Sequence, residues 1–484
     1  MVIPTFESSM FLAILPEILL LVLACVILAL DLLMRQRSGL VLSYVTTGGL
    51  LAILLAALML SRPGPDANLI FGGMLRHDWL GFSLKLVFLF AAAITSLLSS
   101  ANPSETNVGE YYTLLVVTAL GMGLMASAAD LIMLYLAIET TSIPLYILAG
   151  FMKRDDKSTE AGMKYFLFGA MTSAVMLYGF SLLYGFTGAT NLYALASGLG
   201  ASGVSSWALL GGAILVLVGF GFKVSVVPFH FWAPDVYEGA PTPITGYIST
   251  ASKAAGFAVL VRVMLAVFPS IAGYWSGILA AMAVATMTLG NLIALAQKNI
   301  KRLLAYSSIA HAGYALIGLV ALSAIGTASV VFYLAAYVVT NLAAFGVVML
   351  VAQATGSDEI ADYAGMSRRS PGLALALLVA LLSLAGMPPL AGFVSKFYVF
   401  AAAVQSDLIW LAFVGVLNSI IGLYYYLTVL KVVYLYRSEH EEAPIAVPGA
   451  YRMALAVSVF AIVLLGALSG PWFDWAVEAA RSIF

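Results

Sequence analysis

Charge is what this 484-residue sequence has least of. Asp, Glu, Lys and Arg make up 9% of it, against about 25% in ordinary soluble domains. The formal net charge is −1, so no basic excess marks a nucleic-acid surface. There is one cysteine, Cys25, within an apolar run. That excludes an internal disulfide framework and a cysteine-ligated cluster inside the chain. A P-loop, a paired-histidine metal motif and a G-x-S-x-G elbow are all missing. Gly198, Gly200 and Gly203 match the spacing G-x-G-x-x-G. They fall in a connection between apolar runs with no strand before them, so they carry no dinucleotide reading. The first apolar run follows Glu7 and no basic residue. It is longer than a signal-peptide core and reads as a retained span.

What the sequence has is apolar residues, 62% of the total, with a mean hydropathy of +1.03. It reads as an all-α polytopic membrane protein. Fourteen runs approach the roughly 20 residues that a bilayer requires. They cover approximately 10–34, 40–61, 79–100, 111–128, 130–152, 161–186, 205–235, 243–267, 273–296, 302–323, 327–353, 371–405, 409–436 and 450–470. Two are too long for straight crossings. As one helix, 205–235 would measure roughly 46 Å against a hydrocarbon core of about 30 Å. The run 371–405 is longer still. Each contains proline in its interior, Pro228 in one and Pro388 with Pro389 in the other. Proline breaks or kinks a helix, so both read as discontinuous helices, a device transporters use to build ion sites.

Loop charges set the expected orientation. One side carries Arg35, Arg37, Lys153, Arg154, Lys157, Lys298, Lys301, Arg302, Arg368, Arg369, Arg437 and Arg452, the other only Arg62, Arg76 and Arg481. The positive-inside rule makes the first side cytoplasmic. An even number of spans then places both termini outside, in the periplasm of a bacterium.

Five ionisable residues fall near the middle of spans: Glu139 in the fifth, Lys223 in the broken seventh, Lys253 in the eighth, His311 in the tenth and Lys396 in the broken twelfth. Lys164 lies near the cytoplasmic end of the sixth. Ionisable groups at bilayer depth are costly and face a protein interior or a wet cavity. Burial disfavours the charged form of a lysine and a nearby carboxylate restores it. A lysine whose carboxylate partner comes and goes therefore switches between holding and releasing a proton. Glu139 is the only acid at mid-depth in the central spans, and Lys223 is its simplest partner. Lys253, His311 and Lys396 are placed to pass protons laterally through buried water held by hydroxyls such as Ser142, Ser252, Ser307, Ser308 and Ser395. The competing role of these hydroxyls is helix packing and back-bonding. His230, after Pro228, is a candidate for the inner end of the path. Arg262, Lys431 and Lys85 are expected to snorkel. Glu17 is read as structural or as facing a partner. His77 and His440 are read as solvated.

The segments LYLAIETTSIPLYILAGF, KYFLFGAMTSAVMLYG, GFGFKVSVVPFHFWAPDVYEGAPTPITGYISTASKAAGF and QKNIKRLLAYSSIAHAGYALIG resemble the antiporter-like membrane subunits of respiratory complex I. The likeness covers nearly the whole chain. Lys396 replaces the glutamate of the M-type branch, and the chain ends soon after its fourteenth span, where the L-type branch continues into a lateral helix. Both features point to the N-type branch. The resemblance implies two inverted five-span repeats, 111–267 (spans 4–8) and 268–437 (spans 9–13), between three N-terminal spans in 1–110 and a last span in 438–484. It also implies that Glu139 and Lys223 form a coupled pair, that Lys253 is the central relay and Lys396 the outward group, and that Lys164 and His311 contribute. The implied activity is proton translocation as part of a bacterial inner-membrane NADH:quinone oxidoreductase. NADH, flavin, iron–sulfur clusters and quinone are then expected in other subunits, and no cofactor or metal in this chain. The expected partners are neighbouring antiporter-like and other membrane subunits, with lipid around them. An Mrp-like cation/proton antiporter and a non-pumping structural spacer are the competing readings. The first predicts ion exchange without NADH, the second that the buried lysines are dispensable.

Overall fold

The computed structural model describes residues 8–34, 39–64, 66–100, 107–201, 203–437 and 444–483. Arg35, Arg37 and His440 lie outside these residues. Thirteen helices among those described are long and apolar enough to cross a bilayer. A backbone in hydrocarbon must satisfy its polar groups internally, and helices do this within one segment. In chain order they are span 1 (Leu15–Met34), span 2 (Gly39–Leu60), span 3 (Trp79–Leu98), span 4 (Val108–Ser127), span 5 (Leu131–Ala149), span 6 (Asp156–Thr187) and span 7 (Ser206–Val224). Next come span 8 (Thr242–Val267), span 9 (Pro269–Ala294), span 10 (Ile300–Val320), span 11 (Ala324–Thr355), span 13 (Ile409–Leu435) and span 14 (Gly449–Ala467). Span 12 is the fourteenth crossing, built from two shorter apolar helices, Pro371–Ala385 and Ala391–Gln405.

Several starts are fixed by side-chain caps. Asp78 accepts from the Gly81 amide before span 3, Asp130 from Ile132 and Met133 before span 5, and Asn299 from Lys301 and Arg302 before span 10. Such caps satisfy amides that have no partner inside the helix. Spans 6 and 11 each run for 32 residues, and in span 6 the polar turn at 156–160 extends the helix before the apolar stretch. The connections also hold structure: a hairpin of Asn68–Ile70 and Leu75–His77, a helix at Leu192–Ala201 that takes in Gly198 and Gly200, and a helix at Ser469–Arg481 after span 14. The segment 438–484 thus holds more than one helix.

The expected breaks are present. Span 7 ends at Ser225, whose φ of 59° turns the chain left-handed. A turn through Pro228 leads to the half-helix Trp232–Gly239. The freed groups find partners: Trp232 donates to the Phe222 carbonyl at 3.1 Å, and the Val227 amide donates to Thr286 Oγ1 at 3.0 Å. In span 12, Gly386 (φ 89°) ends the first half, and Pro388–Pro389 separate it from the second. Span 8 holds a third irregularity. Ile248–Ser252 form a π-helical turn directly before Lys253. Inserting a residue this way re-aims the side chains after it, and such turns gather at functional sites. Spans 8, 10 and 11 are 89%, 94% and 94% buried along their apolar windows, against 28% for span 1 and 33% for span 14. The three buried spans form the centre of the molecule.

Candidate functional site

Glu139, on span 5, and Lys223, at the end of span 7, line one small cavity with Ser142, Tyr146, Thr172 and Ser173. Its volume is about 20 Å³, enough for a single water. Among the described residues no ion pair joins Glu139 to Lys223. Lys223 Nζ instead donates to Ser142 Oγ at 2.8 Å, and Ser173 Oγ donates to the Glu139 carboxylate. Ser142 lies three residues after Glu139 and so on the same helix face. The two ionisable groups are therefore neighbours across a serine and a water-sized space. Gly256 of span 8 makes room for Lys223, since a Cβ there would lie 3.0 Å from Lys223 Cγ.

Lys253 is 3% exposed. Its Nζ donates to Ser308 Oγ at 2.5 Å and to the Ser308 carbonyl at 3.1 Å, and lies 5.7 Å from the centre of the Tyr237 ring. These groups are neutral. From Ser308 the polar groups continue along span 10. Ser307 shares a hydrogen bond with the Tyr426 hydroxyl. The two ring nitrogens of His311 face the hydroxyls of Tyr333, at 2.6 Å, and Tyr426, at 3.3 Å. One turn further, Tyr314 presents its ring 4.9 Å from Lys396 Nζ. Span 10 is thus a rail of hydroxyls and one imidazole between two buried lysines.

Lys396, in the second half of span 12, donates to the Leu384 carbonyl at 2.9 Å, the Ala385 carbonyl at 3.1 Å and Ser419 Oγ at 2.9 Å. The two carbonyls end the first half-helix, where no further helical amide is present to take them. A cation at a helix C-terminus also opposes the partial negative charge there. The break and the lysine therefore explain each other.

Lys164 stands apart, at the rim. It pairs with Asp235 at 2.5 Å and Glu160 at 2.6 Å. His230 lies in the turn of span 7, with its Nδ1 buried and without a hydrogen bond. Ser252 Oγ is also buried without one. The structure thus gathers Glu139 with Lys223, and Lys253, Ser307 and His311 with Lys396 at the far end of span 10. No direct hydrogen bond joins His230 or Ser252 to these groups.

Two expectations of snorkelling are corrected. Arg262 is 2% exposed and grips Asp78 with both terminal nitrogens, at 2.6 and 2.9 Å, while also donating to the Ala126 carbonyl. Lys85 pairs with Glu17 at 2.8 Å, both buried. In each case a carboxylate distant in the chain removes the reason to reach for water. His77 is half-buried in the hairpin rather than fully solvated, and burial, with Lys85 nearby, holds its imidazole below the usual pKa. Lys431 is exposed, with its Nζ 5.4 Å from the centre of the Tyr436 ring. Sequence reasoning passed over the tyrosines at 237, 314, 333 and 426. With 24 tyrosines in the chain nothing local singles these out.

Residues 128–422 match the family model described as NADH:quinone oxidoreductase/Mrp antiporter, TM. The chain is 45% identical over 470 residues to NADH-quinone oxidoreductase subunit N of Moorella thermoacetica, covering 97% of this chain and 98% of that one. The chain belongs to the N-subunit family of NADH-quinone oxidoreductases. A chain of respiratory complex I from Thermus thermophilus superposes with a TM-score of 0.81 at 34% identity, over 96% of this chain and 99% of that one. A chain of the Mrp complex from Dietzia sp. DQ12-45-1b shares the fold alone, with a TM-score of 0.87 at 20% identity over 99% and 98% of the two chains.

Proposed function

We propose that this chain is a membrane subunit of an NADH:quinone oxidoreductase that moves protons across the membrane, driven by quinone reduction in other subunits. The observation that carries the reading is the run of buried ionisable groups and hydroxyls from Lys253 through Ser308, Ser307 and His311 to Lys396. Glu139 and Lys223 form the switch that loads it. When Lys223 keeps its proton it is held by Ser142. When the Glu139 carboxylate draws closer the charged form gains, and when it withdraws the proton is released toward Lys253. Lys396 delivers to the outside. Moving one charge against 100 mV costs about 2.3 kcal/mol, roughly a fifty-fold change in a carrier's proton affinity. Bringing or removing one carboxylate at a buried lysine is enough for that.

Orientation is read from the loop charges, with the Lys153–Arg154 connection cytoplasmic and both termini periplasmic in the bacterial inner membrane. The two five-span units, 111–267 and 268–437, each carry the broken helix as their fourth member, which supports their reading as repeats. The proton-carrying residues named here belong to this chain, and the electron carriers belong to its partners. Purification from native membranes in mild detergent tests the assignment. Co-elution with flavin- and iron–sulfur-bearing subunits and NADH oxidation is expected. Co-elution with cation-antiporter subunits alone, without electron carriers, overturns it in favour of an Mrp-like exchanger.

A further inference from the structure

The half-helix Trp232–Gly239 makes two kinds of contact. On its aqueous side Asp235 pairs with Lys164 of span 6 at 2.5 Å and Arg302 of span 10 at 2.9 Å. Glu238 pairs with the same Arg302 at 3.0 Å and with Lys157 of span 6 at 2.9 Å. Glu160 completes the network through Lys164. On its inner side the Tyr237 hydroxyl lies 3.3 Å from Ser308 Oγ, and its ring faces Lys253. Asp235, Tyr237 and Glu238 are on one element of eight residues. A displacement of this element that parts the acids from their partners therefore also moves the tyrosine.

The element is seated tightly. A Cβ at Gly239 would lie 2.2 Å from the Lys157 carbonyl oxygen, so only glycine fits that approach. Against the acids lies a cavity of about 190 Å³ lined by Lys157, Glu160, Asp235, Glu238 and Arg302. A single exposed ion pair holds little. Here the contacts share their partners and tie span 6 and span 10 to the piece between them. Asp235, Glu238 and Arg302 are only half-buried, so water can compete and the contacts can open.

We propose that the acids of this half-helix form a latch on the cytoplasmic entrance of the proton path. Closed, as in this structure, the latch holds Tyr237 against Ser308 and separates Lys253 from the charged cavity. Released from Lys164 and Arg302, the half-helix lifts and lets that cavity reach Lys253. Asp235 is a positioning residue in this scheme and carries no proton across. The inference rests on the reading of Lys253 and Lys396 as proton carriers.

The test uses the assembled complex in sealed vesicles with no NADH, an imposed pH gradient and an entrapped pH dye. Asp235→Asn is expected to collapse the gradient several-fold faster than the unaltered complex, and Asp235→Glu to restore slow collapse. Adding Lys396→Gln to Asp235→Asn is expected to abolish the leak, because the leak runs along the relay and an amide does not titrate. A structural defect alone would leak whether or not Lys396 is present. Unaltered collapse in Asp235→Asn, or a leak that survives Lys396→Gln, overturns the latch. If Asp235→Asn does not assemble, Glu238→Gln breaks the same network at Arg302 and Lys157 and must give the same leak. Normal NADH-driven pumping in Lys396→Gln alone would instead overturn the relay on which the latch depends.

Discussion

The proposed function gives Lys396 a transfer role beside its capping contacts, and one pair of substitutions separates the two. Its ammonium is the donor to the carbonyls of Leu384 and Ala385 at the break in span 12. Lys396→Met keeps the apolar stem and removes that donor. Two buried carbonyls then lose a partner, at about 1–3 kcal/mol each, so the variant is expected to lose roughly 2–6 kcal/mol of stability in this region. Lys396→Gln restores N–H donors on an arm one bond shorter and should recover much of that loss. An amide does not titrate, so it carries no proton. Both variants should therefore pump poorly, and only the methionine variant should be markedly unstable. Stability is read from the denaturant concentration that releases the subunit from the purified complex, and pumping from NADH-driven acidification of vesicles. A glutamine variant that pumps normally refutes the transfer role. A methionine variant as stable as the unaltered protein refutes the capping role.

The geometry makes two further outcomes testable. Glu139→Gln should impair pumping and Glu139→Asp impair it less. The double variant of Glu139→Gln with Lys223→Ala should be little worse than the worse single variant, because members of one switch are not independent; strictly additive losses in log activity would separate the pair. A single cysteine placed in the 153–157 connection should be labelled by an impermeant reagent from the cytoplasmic side alone, and labelling from the opposite side would reverse the assigned direction of transport.

The spans were legible because apolar length and loop polarity are local properties. So were the breaks, because Pro228, Pro388 and Pro389 remove backbone donors wherever they fall. Depth alone marked Glu139, Lys223, Lys253, His311 and Lys396. Depth does not tell which way a side chain faces. Arg262 and Lys85 looked free to reach the interface, yet each found a carboxylate far away in the chain, Asp78 and Glu17. Breaking such a buried pair by removing one partner costs about 3–5 kcal/mol, a cost that counting from a span's end does not register. Ser142 between Glu139 and Lys223 was legible as a polar neighbour but not as the group in contact. The π-helical turn before Lys253 has no signature in the run from Ile248 to Ser252. The tyrosines around His311 come from spans 11 and 13, so only the packed fold brings them together. The latch acids were hidden for the same reason, since Asp235 and Glu238 read as an ordinary polar helix end until Lys164 and Arg302 close on them.

The central claim is that buried groups of this chain carry protons that the complex moves. The most direct measurement is the number of protons transported per NADH oxidised by an assembled complex bearing Lys223→Ala. Lys223 is buried, lines the cavity shared with Glu139 and donates to Ser142, so its loss should leave the complex assembled and lower that ratio. An assembled Lys223→Ala complex with the ratio of the unaltered enzyme would contradict the account.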